Sequence, residues 1–332
     1  MNVYIHSSLK ALNFGDELLA LILIDKIDER NSIYINSIPG KTTILFDKHP
    51  QLRNINKKFP KKIDLLLFGG GGYFGSPKVK FSKWDVRFII SFWKLLVLKI
   101  LKNPKSMIIG TGIGPNSFLS KRIIKILLRN NISPIRVRDE ESKRYLDQYL
   151  KKPTNIEVIR DLASYKHLYP EFLNSKIKKT QRKEILIHNI YLKKFTQTGI
   201  EYLTELNKKG FDITIIADSE KTNKKIGTIT KEWERIGFKI SSIQYTNLEE
   251  LLERITCSYL VITSKLHVGI VSTTFNIPTI SIPEHIKTIR YHRSINNEEF
   301  CIEDSLITKE IISNALNKTY NHGNETIQIK IP

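Results

Sequence analysis

Chemistry in this chain starts most plainly at Ser264-Lys265-Leu266-His267, which follows the apolar run Tyr259 to Ile262 and opens a helix-like run ahead of Ile277-Pro278. Backbone N–H groups at a helix start attract anions, and Lys265 adds a full charge beside them. His267 is the only group in this stretch able to exchange a proton near neutral pH. His285 and Lys287 follow the next strand-like segment. They could close the same pocket, or be surface residues or a loop contact. A second polar segment, Asn13-Phe14-Gly15-Asp16-Glu17, lies at another helix start. Asn13 or Asp16 can cap that helix, and acids in its first turn suit the dipole. Capping explains one carboxylate; a glycine and two acids after an aromatic leave a polar substrate role open.

Glycine-rich loops form a third group. Gly69-Gly70-Gly71-Gly72, followed by Tyr73-Phe74-Gly75, ends the apolar run Ile63 to Phe68. Without Cβ atoms at Gly70, Gly71 and Gly72, backbone can approach a ligand and amides can converge on an anion. A tight turn would need only one glycine. The run is neither a dinucleotide fingerprint nor a Walker loop, since the spacing is wrong and no Gly-Lys-Ser/Thr follows. Gly110-Thr111-Gly112-Ile113-Gly114-Pro115 supports the same reading at Gly112 and Gly114, with a plain turn closed by proline as the alternative. Arg138, ahead of Asp139-Glu140-Glu141-Ser142, joins a strand to a helix that Asp139 would cap. A guanidinium at a strand end suits bidentate binding of carboxylate or phosphate. Pairing with the neighbouring acids at the surface is the other reading.

These segments need a scaffold, and the rest of the sequence supplies one. In the first half, strand-like runs at Val3 to His6, Thr42 to Phe46, Ile63 to Phe68, Met107 to Ile109, Ile135 to Val137 and Ile156 to Ile159 alternate with helical ones. The second half repeats the scheme, with strands predicted at Glu184 to His188, Asp212 to Ala217, Lys239 to Gln244, Tyr259 to Thr263 and Thr279 to Ile282. Between them, helices fit Gly199 to Lys209, Thr222 to Ile236, Leu248 to Ile255 and His267 to Phe275. Such alternation predicts an α/β protein with parallel sheets covered on both faces. The Lys-rich stretch Asn174 to Lys183 is the linker candidate, giving domains at 1–176 and 177–332, with a C-terminal helix that could return to the first. Open parallel sheets hold ligands beyond the carboxyl ends of their strands, so two facing domains would line a cleft with the loops named above.

Composition narrows the functional classes. The 332 residues carry 53 Lys and Arg against 33 Asp and Glu, a net charge of +20. The lysines are scattered and accompany no nucleic-acid motif, so no nucleic-acid partner is expected. The excess fits solubility, steering, and attraction to anionic lipid or acidic sugars. Cys257 and Cys301 form neither a disulfide framework nor a zinc spacing, which suits a reducing cytoplasm and no metal site. No signal peptide is expected at Met1 to Ile5, and Lys94 and Lys99 interrupt the longest apolar stretch, Phe88 to Leu101.

Read in order, Asn13 to Glu17, the glycine tetrad, Gly112-Ile113-Gly114-Pro115, Val137-Arg138-Asp139 with Ser142, Asp161-Leu162-Ala163, and Lys265-Leu266-His267 with Ile277-Pro278 resemble the polysaccharide pyruvyl transferase family over most of the chain. The resemblance implies a GT-B-like fold of two Rossmann-like domains facing across a cleft. It implies transfer of pyruvate from phosphoenolpyruvate to two hydroxyls of a sugar as a ketal, with release of phosphate and no cofactor. The acceptor would belong to a capsule, exopolysaccharide, lipopolysaccharide or cell-wall polymer, or to its lipid-linked precursor. Arg138 matches an arginine associated with donor binding, and His267 matches the histidine of the family's Arg-x-His motif. Lys265 stands where that arginine usually stands, keeping the charge but losing the planar fork. On this reading His267 is the general acid, while Arg138, Ser264, Lys265, Leu266 and Lys287 hold the donor. Asp16 or Glu17 orients or deprotonates the acceptor, with Asn13, Gly15 and the glycine loops beside it. The first domain would be the acceptor side and the second the donor side.

Location adds one expectation. Trp84, Phe88, Phe92 and Trp93, with Leu95, Leu96, Leu98, Ile100 and Leu101, make an apolar helix edged by Lys94, Lys99 and Lys102. It is either buried between sheet and neighbours or seats a cytoplasmic enzyme peripherally on the inner, anionic face of the plasma membrane. The rival functions are a nucleotide-sugar glycosyltransferase on the same architecture and a non-catalytic sugar- or anion-binding protein. The first would require an acidic ribose-binding motif, which the second half does not display.

Overall fold

A computed structural model describes the chain except for residues 8, 10–11, 36–46, 55–59, 61, 76–81, 130–131, 151–154, 178–180, 321–325 and 332. The chain divides into two compact units. One comprises Met1–Ala11, Leu19–Leu162 and Gln328–Pro332; the other comprises Leu12–Leu18 and Ala163–Ile327. The chain therefore changes unit within its first helix. The main crossing, at Leu162–Ala163, falls earlier than the Lys-rich stretch. The reason is local: the Ala163 carbonyl accepts from Tyr169 Oη (2.8 Å) and Thr274 Oγ1 (3.4 Å), and Tyr169 packs edge-on against Phe275.

The first unit is built on a parallel sheet of β1 (Asn2–His6), β2 (Ser32–Ile35), β3 (Leu52–Asn54), β4 (Leu65–Gly69), β5 (Lys105–Thr111), β6 (Ile132–Val137) and β7 (Ile156–Val158). Its spatial order is β3-β2-β1-β4-β5-β6-β7. Every residue of β4 is buried, as a strand covered on both faces requires. The segment 42–46 lies outside the described residues. The short strands β2 and β3, the latter at the sheet edge, do not stand out in the sequence, because burial alternates along β2 and leaves few inward apolar residues. The helices are α1 (Phe14–Asp25), α2 (Lys83–Lys102), α3 (Phe118–Leu127) and α4 (Glu140–Leu150).

The N-terminus of α2 shows how the helices are fixed. Ser82 and Asp85 form a capping box, and the buried Asp85 carboxylate also accepts from Ser117 and Ser120 at the start of α3. Burial opposes its charge, but those hydroxyls and the Ser82 amide hold its pKa below the usual range. One face of α2, with Phe88, Phe92, Leu95 and Leu98, packs into the core beside Phe68, Phe74 and Ile108.

The second unit holds a parallel sheet in the order β10-β9-β8-β11-β12, from β8 (Glu184–His188), β9 (Asp212–Ile216), β10 (Ile240–Ile243), β11 (Leu260–Thr263) and β12 (Thr279–Ser281). Its helices are α5 (Gln197–Lys208), α6 (Glu220–Glu234), α7 (Leu248–Cys257), α8 (Leu266–Thr274), α9 (Ile286–Ser294) and α10 (Lys309–Leu316). Thr196, Ser219, Asn247 and Thr308 cap α5, α6, α7 and α10 through side-chain oxygens. The C-terminal helix α10 stays with this unit, while Gln328–Pro332 belongs with the first.

Both sheets reverse strand order at one point, between β1 and β4 in the first and between β8 and β11 in the second. Those positions are where open α/β sheets hold ligands. Gly70-Gly71-Gly72 leaves β4 at one, and Ser264-Lys265-Leu266-His267 leaves β11 at the other.

Candidate functional site

In the first unit the loops after β4 and β5 run side by side. The amides of Gly70, Gly112, Ile113 and Gly114 donate to Ile109 O (3.0 Å), Gly71 O (2.8 Å), Ser142 Oγ (2.8 Å) and Phe74 O (3.2 Å). These four amides are thus engaged inside the protein. Tyr149 and Asn116 hold the Gly114 carbonyl at 2.7 and 2.9 Å, so the loop is braced from beneath. Gly70 and Gly71 adopt φ of +64° and +72°, the left-handed turn that directs the chain off the strand.

What those loops surround is a guanidinium. Arg138 follows β6, and a Cβ at Gly112 would lie 2.3 Å from its Nη2 and 2.9 Å from its Cζ. Gly72 is its other neighbour, at 3.7 Å by the same construction. The Arg138 side chain is 10% exposed, with Nη1 at 3.4 Å from the buried Asp161 carboxylate and Nε at 3.8 Å from Asp139. Asp139 also accepts from the Ser142 amide (2.7 Å), capping α4. Arg138 is therefore not a surface arginine. It is a cation set in a glycine cradle and oriented by Asp161, which the sequence marked only as part of Asp161-Leu162-Ala163.

The second unit gathers the proton-exchanging groups. Asn13 pairs with Ser219, Phe14 N donates to Asp218 O (2.9 Å), and the Asn13 side chain caps α1 by accepting from the Asp16 amide (3.1 Å). This fixes Gly15 against the start of α8. A Cβ at Gly15 would lie 2.0 Å from His267 Nδ1 and 2.4 Å from its Cγ, so only glycine admits the imidazole there.

Asp16 is half-buried, and burial raises its pKa, while the charges of His267 and then Lys287 pull it back and Asp218 pushes it up. Glu17 faces inward. It is 2% exposed and accepts from the Tyr245 hydroxyl. Burial drives its pKa to about 7 against the opposing hydrogen bond from Tyr245, with Asp16 adding to the rise. Of the two carboxylates, Asp16 is the one that shares its surroundings with His267.

Lys265 is the N-cap residue of α8 and makes no side-chain cap. Its Nζ lies 3.4 Å from Glu284, which also accepts from Ser264 (3.2 Å) and Asn189 (3.1 Å). Leu266 is buried and contributes packing, while His285 is exposed at the N-cap of α9, close in sequence to Lys287. Near Lys265, His188 Nε2 is 3.1 Å from Asp218 Oδ1, with both side chains buried. Burial works against the Asp218 charge, yet His188, Lys265 and the Thr222 hydroxyl hold its pKa well below the carboxylate range. Sequence reading missed His188, Asp218, Tyr245 and Glu284. His188 was findable as the last residue of a buried, mostly apolar strand at the switch point; the other three lie in loops with no local signal.

The sequence profile of the family described as polysaccharide pyruvyl transferase matches residues 13–285. No curated protein matches the chain in sequence. Among solved structures, UDP-GlcNAc 2-epimerase from Methanocaldococcus jannaschii is similar at 13% identity and a TM-score of 0.52, covering 97% of this chain and 93% of that one. A putative UDP-N-acetylglucosamine 2-epimerase from Listeria monocytogenes gives 10% identity and a TM-score of 0.53, over 95% and 86%. HepE from Anabaena, in complex with UDP-glucose, gives 11% and 0.51, over 95% and 88%. At these identities the likeness concerns the fold alone, the GT-B type with two Rossmann-like units. With the profile spanning most of the sequence, including the glycine loops, Arg138 and His267, the chain belongs to the polysaccharide pyruvyl transferase family.

Proposed function

We propose that the chain transfers pyruvate from phosphoenolpyruvate to two hydroxyls of a sugar in a cell-surface polysaccharide or its lipid-linked precursor. The observation that carries this reading is the seating of His267 on Gly15, beside Asp16 and at a helix start whose N-cap residue is Lys265. Phosphoenolpyruvate brings a carboxylate and a phosphate, which the helix N-terminus, Lys265 and Lys287 suit by charge. In the first unit, the fork of Arg138 is itself suited to a carboxylate or phosphate. Asp16 lies within electrostatic reach of His267, so a carboxylate and an imidazole share this pocket of charge.

His267 gives its proton to the methylene carbon of the donor, which becomes a methyl group and leaves cationic character at C2. One sugar hydroxyl attacks C2, phosphate leaves, and the second hydroxyl closes the ketal. The two hydroxyl protons end on phosphate and on the histidine, so the site is restored. Asp16 orients the acceptor hydroxyl, and Glu17, turned toward Tyr245, positions the helix that carries Asp16. No cofactor enters this scheme.

The test is phosphate release from phosphoenolpyruvate in the presence of a panel of lipid-linked sugars. Release that requires one of those acceptors is expected. Release of a nucleotide from a UDP-sugar, with phosphoenolpyruvate left intact, would instead make the chain a glycosyltransferase. Binding of phosphoenolpyruvate with no turnover on any acceptor would make it a binding protein.

A further inference from the structure

The face of α2 that turns away from the core is apolar. Val86, Ile90, Trp93, Val97 and Ile100 follow one another at spacings of four, three, four and three, one unbroken stripe along the helix. They are 45%, 66%, 50%, 45% and 66% exposed, with Leu101 beside them at 72%. Phe118, in the first turn of α3, is 74% exposed and lies under the Arg122 guanidinium. Scattered exposed apolar residues are ordinary, but a continuous stripe opposite the buried face of the same helix is not.

Charge decides what covers it. Lys83, Arg87 and Lys94 are exposed and fall along one flank of the stripe, and Lys102 is exposed at its end. The one acid of α2, Asp85, is buried and held by serines, so no exposed carboxylate offsets these cations on the helix. A second copy of the chain would bring the same cations face to face, which like-charge repulsion disfavours. A bilayer with anionic headgroups takes the apolar stripe into its acyl boundary and the cations at its surface. Among the described residues no helix is long and apolar enough to cross a membrane, so the contact is one of surface seating.

We propose that α2 seats this protein on an anionic lipid bilayer, with Trp93 and Ile90 at the centre of the contact. The proposal is independent of the donor and the reaction. It is tested by flotation of the full chain with vesicles of phosphatidylcholine, with and without phosphatidylglycerol, at low and high salt. Binding to the anionic vesicles only, weakened by salt, is expected. Ile90→Ser with Trp93→Ser should abolish it. Lys83→Glu, Arg87→Glu and Lys94→Glu together should lower vesicle affinity by at least about tenfold. All these positions are exposed, so circular dichroism and thermal melting should match wild type. Absence of binding at low salt, or equal binding by these variants, overturns the proposal. So does a stable dimer in sedimentation that the Ile90/Trp93 variant dissociates, because a second copy would then own the stripe.

Discussion

Each sheet carries a polar cluster beyond the carboxyl ends of its strands, after β6 and β7 in the first unit and after β11 in the second, yet the two clusters differ in kind. In the first unit a permanently charged guanidinium lies on glycine backbone, its orientation set by one buried carboxylate. In the second, groups able to exchange protons crowd together: His267, Asp16, Glu17 with Tyr245, and His188 with Asp218. The first arrangement is suited to holding an anion at any pH, and the second to moving a proton. Glycine serves both by allowing a side chain to rest on backbone, at Gly112 under Arg138 and at Gly15 under His267.

The largest expected effect comes from breaking the second contact. Gly15→Ala places a methyl group 2.0 Å from His267 Nδ1 and must displace the imidazole. Turnover should fall about 100-fold, since misplacement on the ångström scale costs that much, while circular dichroism stays unchanged. In the first unit the expected loss is in stability: Asp161→Ala removes the buried carboxylate at 3.4 Å from Arg138 Nη1 and leaves the guanidinium only Asp139, at 3.8 Å from Nε. Denaturant unfolding should show about 3 kcal/mol less stability, with Asp161→Asn losing less.

Glu17 separates the clusters by pH. Its native pKa of about 7 lies above the ordinary 4.5. Between those values the native state keeps a proton that the unfolded chain has released, so this group's contribution to stability falls as pH rises through the window and levels off above it. Glu17→Gln still accepts from Tyr245 and should flatten that slope, a difference of a few kcal/mol, roughly 1.4 per pH unit. Thermal melts of both proteins from pH 5 to 8 would show it; parallel curves would place the Glu17 carboxyl in water. The smallest effect is a control. A methyl group added at Gly227, inside α6, would meet open space, so Gly227→Ala should stabilise by about 1 kcal/mol without changing turnover.

Much of this molecule is readable in the sequence because parallel strands buried on both faces are continuous apolar runs. Those at Leu65–Gly69, Glu184–His188 and Leu260–Thr263 stand out for that reason. Short strands such as Ser32–Ile35, with only alternate residues buried, show too little apolar sequence, and α9 is too polar. At the site, Gly15, Asp16, Arg138 and His267 are legible as residues capable of chemistry. Their pairings are not. Nothing in the sequence says that Gly15 lies beneath His267, that Gly112 lies beneath Arg138, or that Glu17 turns inward to Tyr245. Those contacts arise from strand order, which local pattern does not encode.

The central claim is that His267 protonates the methylene carbon of phosphoenolpyruvate as pyruvate is passed to a sugar. Its most direct test is mass spectrometry of the acceptor after reaction in heavy water. The expected product carries one pyruvate ketal whose methyl group holds a single solvent deuterium, with no such product from His267→Gln. A ketal without deuterium, full turnover by His267→Gln, or an acceptor that gains a hexose from a nucleotide sugar would contradict it.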